Sequence, residues 1–364
     1  MKTLLKNIYK TGIRGLSAGW KPYSRLLLAG DNAGWILDWE MRELRGIATR
    51  LGIRTVSGLW MHSTTPQAVF LASQFFLADD DWFHLPHRIG FSYFHGLPQT
   101  GEKGFDLVYD SLCRNHPRLS RIQVSHTEMR EVVLQTGIDP AKVHLIPIGI
   151  NPSFFHYRNA ELRRQQRARL GIPDGAFVVG SFQKDGNGWE EGLEPKLIKG
   201  PDIFLQTLEA LKPSIPELFV LLTGPARGYV KAGLERLQIP YKHLFLKDYP
   251  EVGRLFPVLD LYIVASRQEG GPKAILESMV SGVPLVTTRV GQAMDLVKHG
   301  ENGWMVAVED VDGLARWSKY VHQNQGAALD AVLENGRATA AAHTYEKQVP
   351  LWRNFMQGFV EWTE

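Results

Sequence analysis

Apolar runs of strand length recur along this chain, each separated from the next by a helical stretch or a turn. That alternation limits the fold more than any other feature. Strands buried on both faces read as continuous apolar runs, and helices between them cover a parallel sheet. One series begins with the strand Leu26–Ala29, a Gly30–Gly34 turn and a helix from Ile36 to Leu51. It continues with strands at Thr55–Leu59, Ala68–Phe76, Ile89–Phe94, Ile122–Ser125 and Val143–Pro147. Ser125 and Glu128 have the spacing of a capping box for a helix running to about Thr136. A second series has strands at Phe177–Phe182, Phe219–Thr223, Leu244–Lys247, Leu261–Ala265, Leu285–Thr288 and Trp304–Val308. Its helices fall at 202–211, 230–237, 252–259, 272–281, 292–298 and 311–323. Two such series in 364 residues predict two doubly wound α/β domains. The polar, Arg-rich stretch Tyr157–Leu170 reads as the join, giving domains of 1–170 and 171–344.

Charge divides along the same line. Residues 1–170 carry 22 Lys+Arg against 14 Asp+Glu, whereas 171–364 carry 19 against 24. A basic first half predicts an anionic partner for that half: a membrane surface, a phosphorylated acceptor or nucleic acid. Lys2, Lys6, Lys10 and Arg14 alternate with Leu4, Leu5, Ile8 and Ile13 at helical spacing, which fits either a lightly packed leader or an interfacial helix. No run is long enough to span a bilayer and no secretory leader is evident, so the chain reads as cytoplasmic. A single cysteine, Cys113, excludes an internal disulfide framework and a multi-thiolate zinc site, and reads as a buried apolar side chain.

The motif content removes several enzyme classes. There is no P-loop, intact dinucleotide fingerprint, nucleophile elbow or metal-binding histidine pair. Asp79–Asp81 reads as a strand end and turn, not a metal cluster.

What remains is Ser266-Arg-Gln-Glu-Gly-Gly-Pro-Lys-Ala-Ile-Leu-Glu-Ser-Met-Val-Ser-Gly-Val-Pro284. Glu269 and Glu277 bracket a glycine pair, just past a strand end and inside the helix that follows. Gly270 and Gly271 let backbone approach a ligand, the helix N-terminus offers amides to an anion, and the carboxylates accept from sugar hydroxyls. Lys199-Gly200 opens another helix in the manner of a diphosphate clamp, after a long glycine-rich loop, Gln183–Leu197. His95 closes a strand beside Gly96, where it can reach a ligand.

Glu269-Gly-Gly-Pro-Lys-Ala-Ile-Leu-Glu277, Gly300-Glu-Asn-Gly303, Val124-Ser-His-Thr-Glu-Met129 and Ile146-Pro-Ile-Gly-Ile-Asn-Pro-Ser-Phe-Phe155 together resemble the retaining glycosyltransferases of family four, the group-one glycosyltransferases. The resemblance covers about 120–310 and is weak over the first 90 residues. It implies the GT-B fold, two Rossmann-like domains facing across a cleft, with the C-terminal domain binding a nucleotide-diphosphate sugar and the N-terminal domain the acceptor. It also implies that the final segment, 345–364, returns to pack on the first domain. Glu277 is then expected at the ribose hydroxyls and Glu269 near the donor sugar. Backbone around Gly271, Lys273 and Ala274 is expected at the sugar and distal phosphate, and Lys199 on the diphosphate. His95 is expected at the sugar ring, with Gly34 in a loop closing over the phosphates. The family's usual arginine after Val178-Val-Gly-Ser-Phe182 is missing; Lys184, or else Lys196, is expected to replace it, and Tyr249 to contact the base.

The function so implied is metal-independent, cofactor-free transfer of a sugar from a nucleotide-diphosphate donor to a saccharide or lipid-linked acceptor, with retention. The setting is bacterial cell-surface polysaccharide, lipopolysaccharide or glycolipid synthesis, with peripheral attachment to the inner membrane and no nucleic-acid partner. The alternatives are a GT-B isomerase or phosphorylase, and an inert nucleotide-sugar-binding protein.

Overall fold

A computed structural model describes residues 17, 19–30, 36–58, 63, 65–78 and 80–362. The chain divides into one unit of Met1–Ile148 with Tyr345–Glu364 and a second of Gly149–Thr344. The basic leader and Gly34 lie outside the described residues.

The first unit holds six parallel strands: β1 (Arg25–Ala29), β2 (Arg54–Ser57), β3 (Ala68–Leu71), β4 (Arg88–Tyr93), β5 (Leu119–Val124) and β6 (Val143–Leu145), in the order β2-β1-β3-β4-β5-β6. Side chains alternate across the sheet, as the pleat requires. Leu26, Leu28 and Phe70 face the helix Ile36–Arg50 through Leu44 and Ile47. Leu27, Val69, Ile89 and Phe91 face the opposite layer, with Val108 and Leu112 of Lys103–Asn115 and Met129 and Val133 of Thr127–Leu134. The C-terminal helix Val349–Met356 joins the first layer, where Trp352 and Phe355 pack edge-on against Phe70. Arg121 secures it, donating to the carbonyls of Phe355 (3.1 Å) and Gln357 (2.7 Å).

The second unit repeats the plan with β7 (Phe177–Ser181), β8 (Leu218–Thr223), β9 (Tyr241–Leu244), β10 (Leu261–Val264), β11 (Leu285–Thr288) and β12 (Trp304–Val306), ordered β12-β11-β10-β7-β8-β9 and all parallel. Val178, Leu221, Tyr262 and Leu285 face Ile275, Met279 and Phe256, while Val179, Val220, Ile263 and Val286 face Phe204, Leu208, Leu234 and Leu314. The order reverses between β7 and β10. In an open α/β sheet, loops leaving the carboxyl ends at such a reversal form the ligand crevice.

Several sequence expectations change. The helix Ala160–Leu170 belongs to the second unit, so the boundary moves from 170/171 to 148/149. Two of its four arginines, Arg163 and Arg167, turn inward to Asp260: Arg167, 2% exposed, donates to the carbonyls of Val258 and Ala176 and to Asp260 Oδ2 at 2.6 Å. A buried guanidinium is tolerated when its donors are used in this way. The strand expected to reach Phe76 ends at Leu71, and Gln74–Ala78 form a 3-10 helix. The strand placed at Leu244–Lys247 lies earlier, at Tyr241–Leu244, leaving Phe245 72% exposed. Two 3-10 turns, Tyr249–Arg254 and Phe256–Val258, replace the expected helix 252–259, because Pro257 lacks the N–H that a continuous helix needs there. The capping box does not form: the N-cap of Thr127–Leu134 is His126, and Ser125 Oγ contacts the Phe94 carbonyl and His126 Nδ1 instead. Cys113 is exposed. Within the final segment, 345–364, the helix is confined to Val349–Met356.

Candidate functional site

Two loops meet where the second sheet reverses, one after β7 and one after β10. Gly200 sets their contact. It has φ +62°, and a Cβ there would lie 1.9 Å from the Ala265 carbonyl oxygen. Only glycine allows Lys199-Gly200 to lie this close to the end of β10. The backbone N–H groups of Arg267 and Gln268 donate to the Ile198 carbonyl at 2.9 and 3.1 Å. The Arg267 guanidinium grips Leu197 O at 2.7 Å and forks onto Asp202 at 2.8 and 2.7 Å. That hydrogen bonding holds the Asp202 carboxyl below its ordinary range and raises Arg267.

The result is an ion pair. Lys199 Nζ lies 2.6 Å from Glu269 Oε2, while Ser266 Oγ donates to Glu269 Oε1 at 2.9 Å. Lys199 is 22% and Glu269 11% exposed, so the pair is shielded without being sealed.

Gly270 and Gly271 lead into the helix Ala274–Ser281. The next loop presses on them: Gln292 N donates to Gly270 O at 3.2 Å. Glu277, in the helix's first turn, is 4% exposed and accepts from the Tyr249 hydroxyl. Lys273, the N-cap residue, holds its ammonium 5.0 Å from the centre of the Tyr249 ring. Ala274 begins the helix, where amides lack intrahelical partners. Tyr262, 2% exposed, accepts from Phe182 N at 2.7 Å. Burial raises its phenol, and the charges of Glu277 and Glu269 act in the same direction.

Lys184 lies in the glycine-rich loop with its ammonium 3.9 Å from the centre of the Trp189 ring; burial lowers its pKa. The loop is built. Asn187 N donates to Glu194 O and Lys196 N to Asp185 O, both at 2.8 Å, and Gly228 N and Tyr229 N hold Glu191 O and Gly192 O. Lys196 therefore contributes its backbone to the loop's closure. Arg227 anchors the base from inside. Its Nε donates to Asp185 Oδ1 at 2.9 Å, Nη1 to the Ser181 and Thr223 carbonyls at 2.7 Å, and Nη2 to Ser181 Oγ at 3.0 Å.

In the first unit, His95 follows β4. Gln74 fixes its backbone: Gln74 Nε2 donates to His95 O, and Gln74 Oε1 accepts from the N–H groups of Phe94 (3.1 Å) and His95 (3.2 Å). The His95 ring meets Phe105 and Phe75 edge-on, at 5.3 and 6.2 Å.

The structure thus brings Lys199 to Glu269, Tyr249 to Glu277 and Lys273 to Tyr249, and sets Lys184 on a separate loop. Sequence reasoning missed Ser266, Tyr262, Arg227, Arg267 and Gln74. Ser266 opened the glutamate motif and could have been weighed with it; Tyr262 looked like an ordinary strand residue. Among the described residues, no group of three or more His, Cys, Asp or Glu could hold a metal ion, and no helix is long and apolar enough to cross a membrane.

Residues 193–339 match the family model for glycosyl transferases group 1. The chain is 28% identical over 202 residues to the D-inositol 3-phosphate glycosyltransferase of Thermomonospora curvata, covering 50% of this chain and 44% of that protein. It is 28% identical over 169 residues to the lipopolysaccharide core biosynthesis mannosyltransferase LpsB of Rhizobium meliloti, covering 38% and 48%. It therefore spans less than half the length of these curated relatives. Among solved structures, Anabaena Alr3699/HepE in complex with UDP and glucose superposes with a TM-score of 0.73 at 16% identity, covering 92% of this chain and 100% of that one. A glycosyltransferase from Rickettsia africae superposes with a TM-score of 0.68 at 14% identity, covering 93% and 98%. These likenesses place the two doubly wound units in the GT-B fold.

Proposed function

The chain carries a group 1 glycosyltransferase domain, and from that premise we propose that it moves a sugar, with retention, from a nucleotide-diphosphate donor to an acceptor hydroxyl. One observation carries the reading: Lys199, Glu269, the Gly270-Gly271 turn, the helix N-terminus at Ala274 and the Tyr249–Glu277 pair all occupy the carboxyl edge of the second sheet. That set offers cations and amides to a diphosphate and carboxylate oxygens to hydroxyls.

Charge accumulates on the distal phosphate as the glycosidic bond to the donor breaks. Lys199, Lys184 and the amides of Lys273 and Ala274 are assigned to stabilise it, which is electrostatic catalysis by fixed donors. Glu277 is assigned to the ribose and Glu269 to the donor sugar, with Tyr249 beside the base. His95 and Gly34 are assigned to the sugar and phosphates on the family resemblance alone. On the family resemblance Glu269 is not placed to be a covalent nucleophile. The reading is therefore front-face departure and attack, not the double displacement of retaining glycosidases. It requires no metal ion, so turnover should survive EDTA.

Likeness to lipopolysaccharide core mannosyltransferases supports a saccharide or lipid-linked acceptor in cell-surface synthesis. Alr3699/HepE, solved with UDP-glucose, supports a nucleotide-sugar donor. The excess of positive charge in residues 1–170 supports docking on an anionic membrane face. The test is a thermal-shift screen against UDP, GDP, ADP and dTDP sugars, followed by NMR of the product anomer. A stabilising donor that yields an α-linked product from an α-linked donor is expected; no response to any nucleotide sugar would refute the reading.

A further inference from the structure

We propose that Glu269 is the resting counter-ion of Lys199, displaced when the donor binds and restored to expel the nucleoside diphosphate after transfer. The inference rests on the donor reading above and assigns Glu269 a part in product release.

Lys199 Nζ is 2.6 Å from Glu269 Oε2, and Ser266 Oγ at 2.9 Å holds the other carboxylate oxygen in place. Gly200 and the Arg267 staple prevent the Lys199 turn from drifting off the end of β10. The ammonium therefore has a fixed partner that any incoming diphosphate must share or replace. A diphosphate on Lys199 also lies within a few ångströms of the Glu269 carboxylate, and the two anions repel.

An intact donor offsets that repulsion, because sugar hydroxyls donate to the carboxylate and take over the contact Lys199 gives up. The nucleoside diphosphate left after transfer has no sugar to do so. Glu269 then regains Lys199, and the product loses its strongest cation. The pair thus favours intact donor over spent product, with Ser266 as the positioning residue that keeps the carboxylate within reach.

The experiment is calorimetric titration of the full chain with inorganic pyrophosphate, UDP and GDP. Removing the carboxylate charge as Glu269→Gln is expected to tighten binding of the diphosphate probe at least about tenfold, inside the roughly 1000-fold upper bound for two unit charges about 4 Å apart at an effective dielectric near 20. Transfer by this variant slows and product inhibition deepens. Lys199→Gln weakens binding about tenfold. The double variant Lys199→Gln/Glu269→Gln leaves neither charge unpaired, so it keeps the test open if Glu269→Gln does not fold. It is expected to bind more tightly than Lys199→Gln alone. Wild-type binding of a probe, with unchanged or weaker binding on removal of Glu269 in either background, overturns the exchange and leaves the donor reading standing. If no probe binds wild type and no nucleotide sugar stabilises it, both fall together.

Discussion

Gly200→Ala offers the sharpest test of how the site is built, because the structure supplies its own control. Gly200 and Gly171 have nearly the same left-handed backbone, φ +62° and +69°. An added Cβ at Gly171 meets nothing within 4 Å, whereas at Gly200 it would lie 1.9 Å from the Ala265 carbonyl oxygen. Ordinary contact starts near 3.4 Å, so the Lys199 turn and the end of β10 must separate by about 1.5 Å. Gly171→Ala pays only for the left-handed conformation, about 1 kcal/mol. Gly200→Ala pays that and also pulls Lys199 away from Glu269. Misplacing a reacting group by about 1 Å can cost on the order of 100-fold in rate. Urea unfolding and initial transfer rates, measured on both variants, separate the two effects. Gly171→Ala should lose modest stability and keep wild-type turnover, whereas Gly200→Ala should lose more stability and at least about 100-fold in rate. Wild-type turnover by Gly200→Ala would show that the turn does not position Lys199 for the reaction.

Lys199→Ala should lower kcat by on the order of 100- to 1000-fold, the range for removing one donor that stabilises developing charge; a steady-state assay decides it. Tyr249→Phe removes a hydrogen bond to a nearly buried carboxylate, so nucleoside diphosphate affinity should fall about tenfold by calorimetry while binding of inorganic pyrophosphate, which has no ribose, stays unchanged. His144 is pushed down to about 4 from 6.5, first by burial and then by Arg121. The unfolded chain therefore binds the proton more readily, and the stability this histidine contributes is present above about pH 6.5 and lost as pH falls toward 4. The ring lies 5.1 Å from that of Phe355, so amides of the C-terminal helix should lose hydrogen-exchange protection over that window, and His144→Asn should flatten the dependence.

Where contacts are local, the sequence was a good guide. β11 and the helix Val311–Gln323 fall at the expected residues because turn signals and apolar periodicity bound them on both sides. Lys199, Glu269 and Glu277 stood out because each sits in a compact motif beside glycine or a helix start. Long-range pairing was not legible. Arg163 and Arg167 looked like a solvated linker because their partner, Asp260, is more than ninety residues away. Tyr262 read as core because nothing local shows that its hydroxyl accepts from Phe182 N. β9 was misplaced because Phe245 and Leu246 extend its apolar run past the point where pairing with β8 ends at Leu244. The Gly34 assignment lies outside the described residues.

The absent arginine after β7 is the most informative departure from the family pattern. Ser181 stands at the end of that strand, and Arg227 reaches it from the loop after β8, 1% exposed and committed to Asp185, two carbonyls and the Ser181 hydroxyl. A guanidinium committed in this way holds the base of the glycine-rich loop and cannot also fork onto a diphosphate. Three lysines from different loops also lie at this edge: Lys199 on Glu269, Lys184 against Trp189 and Lys273 near Tyr249. An ammonium is a point charge that can change partners, whereas a guanidinium favours one fixed bidentate geometry. A site that trades the rigid fork for lysines gains cations that can exchange between internal partners and a ligand. The Lys199–Glu269 pair has the geometry for that exchange.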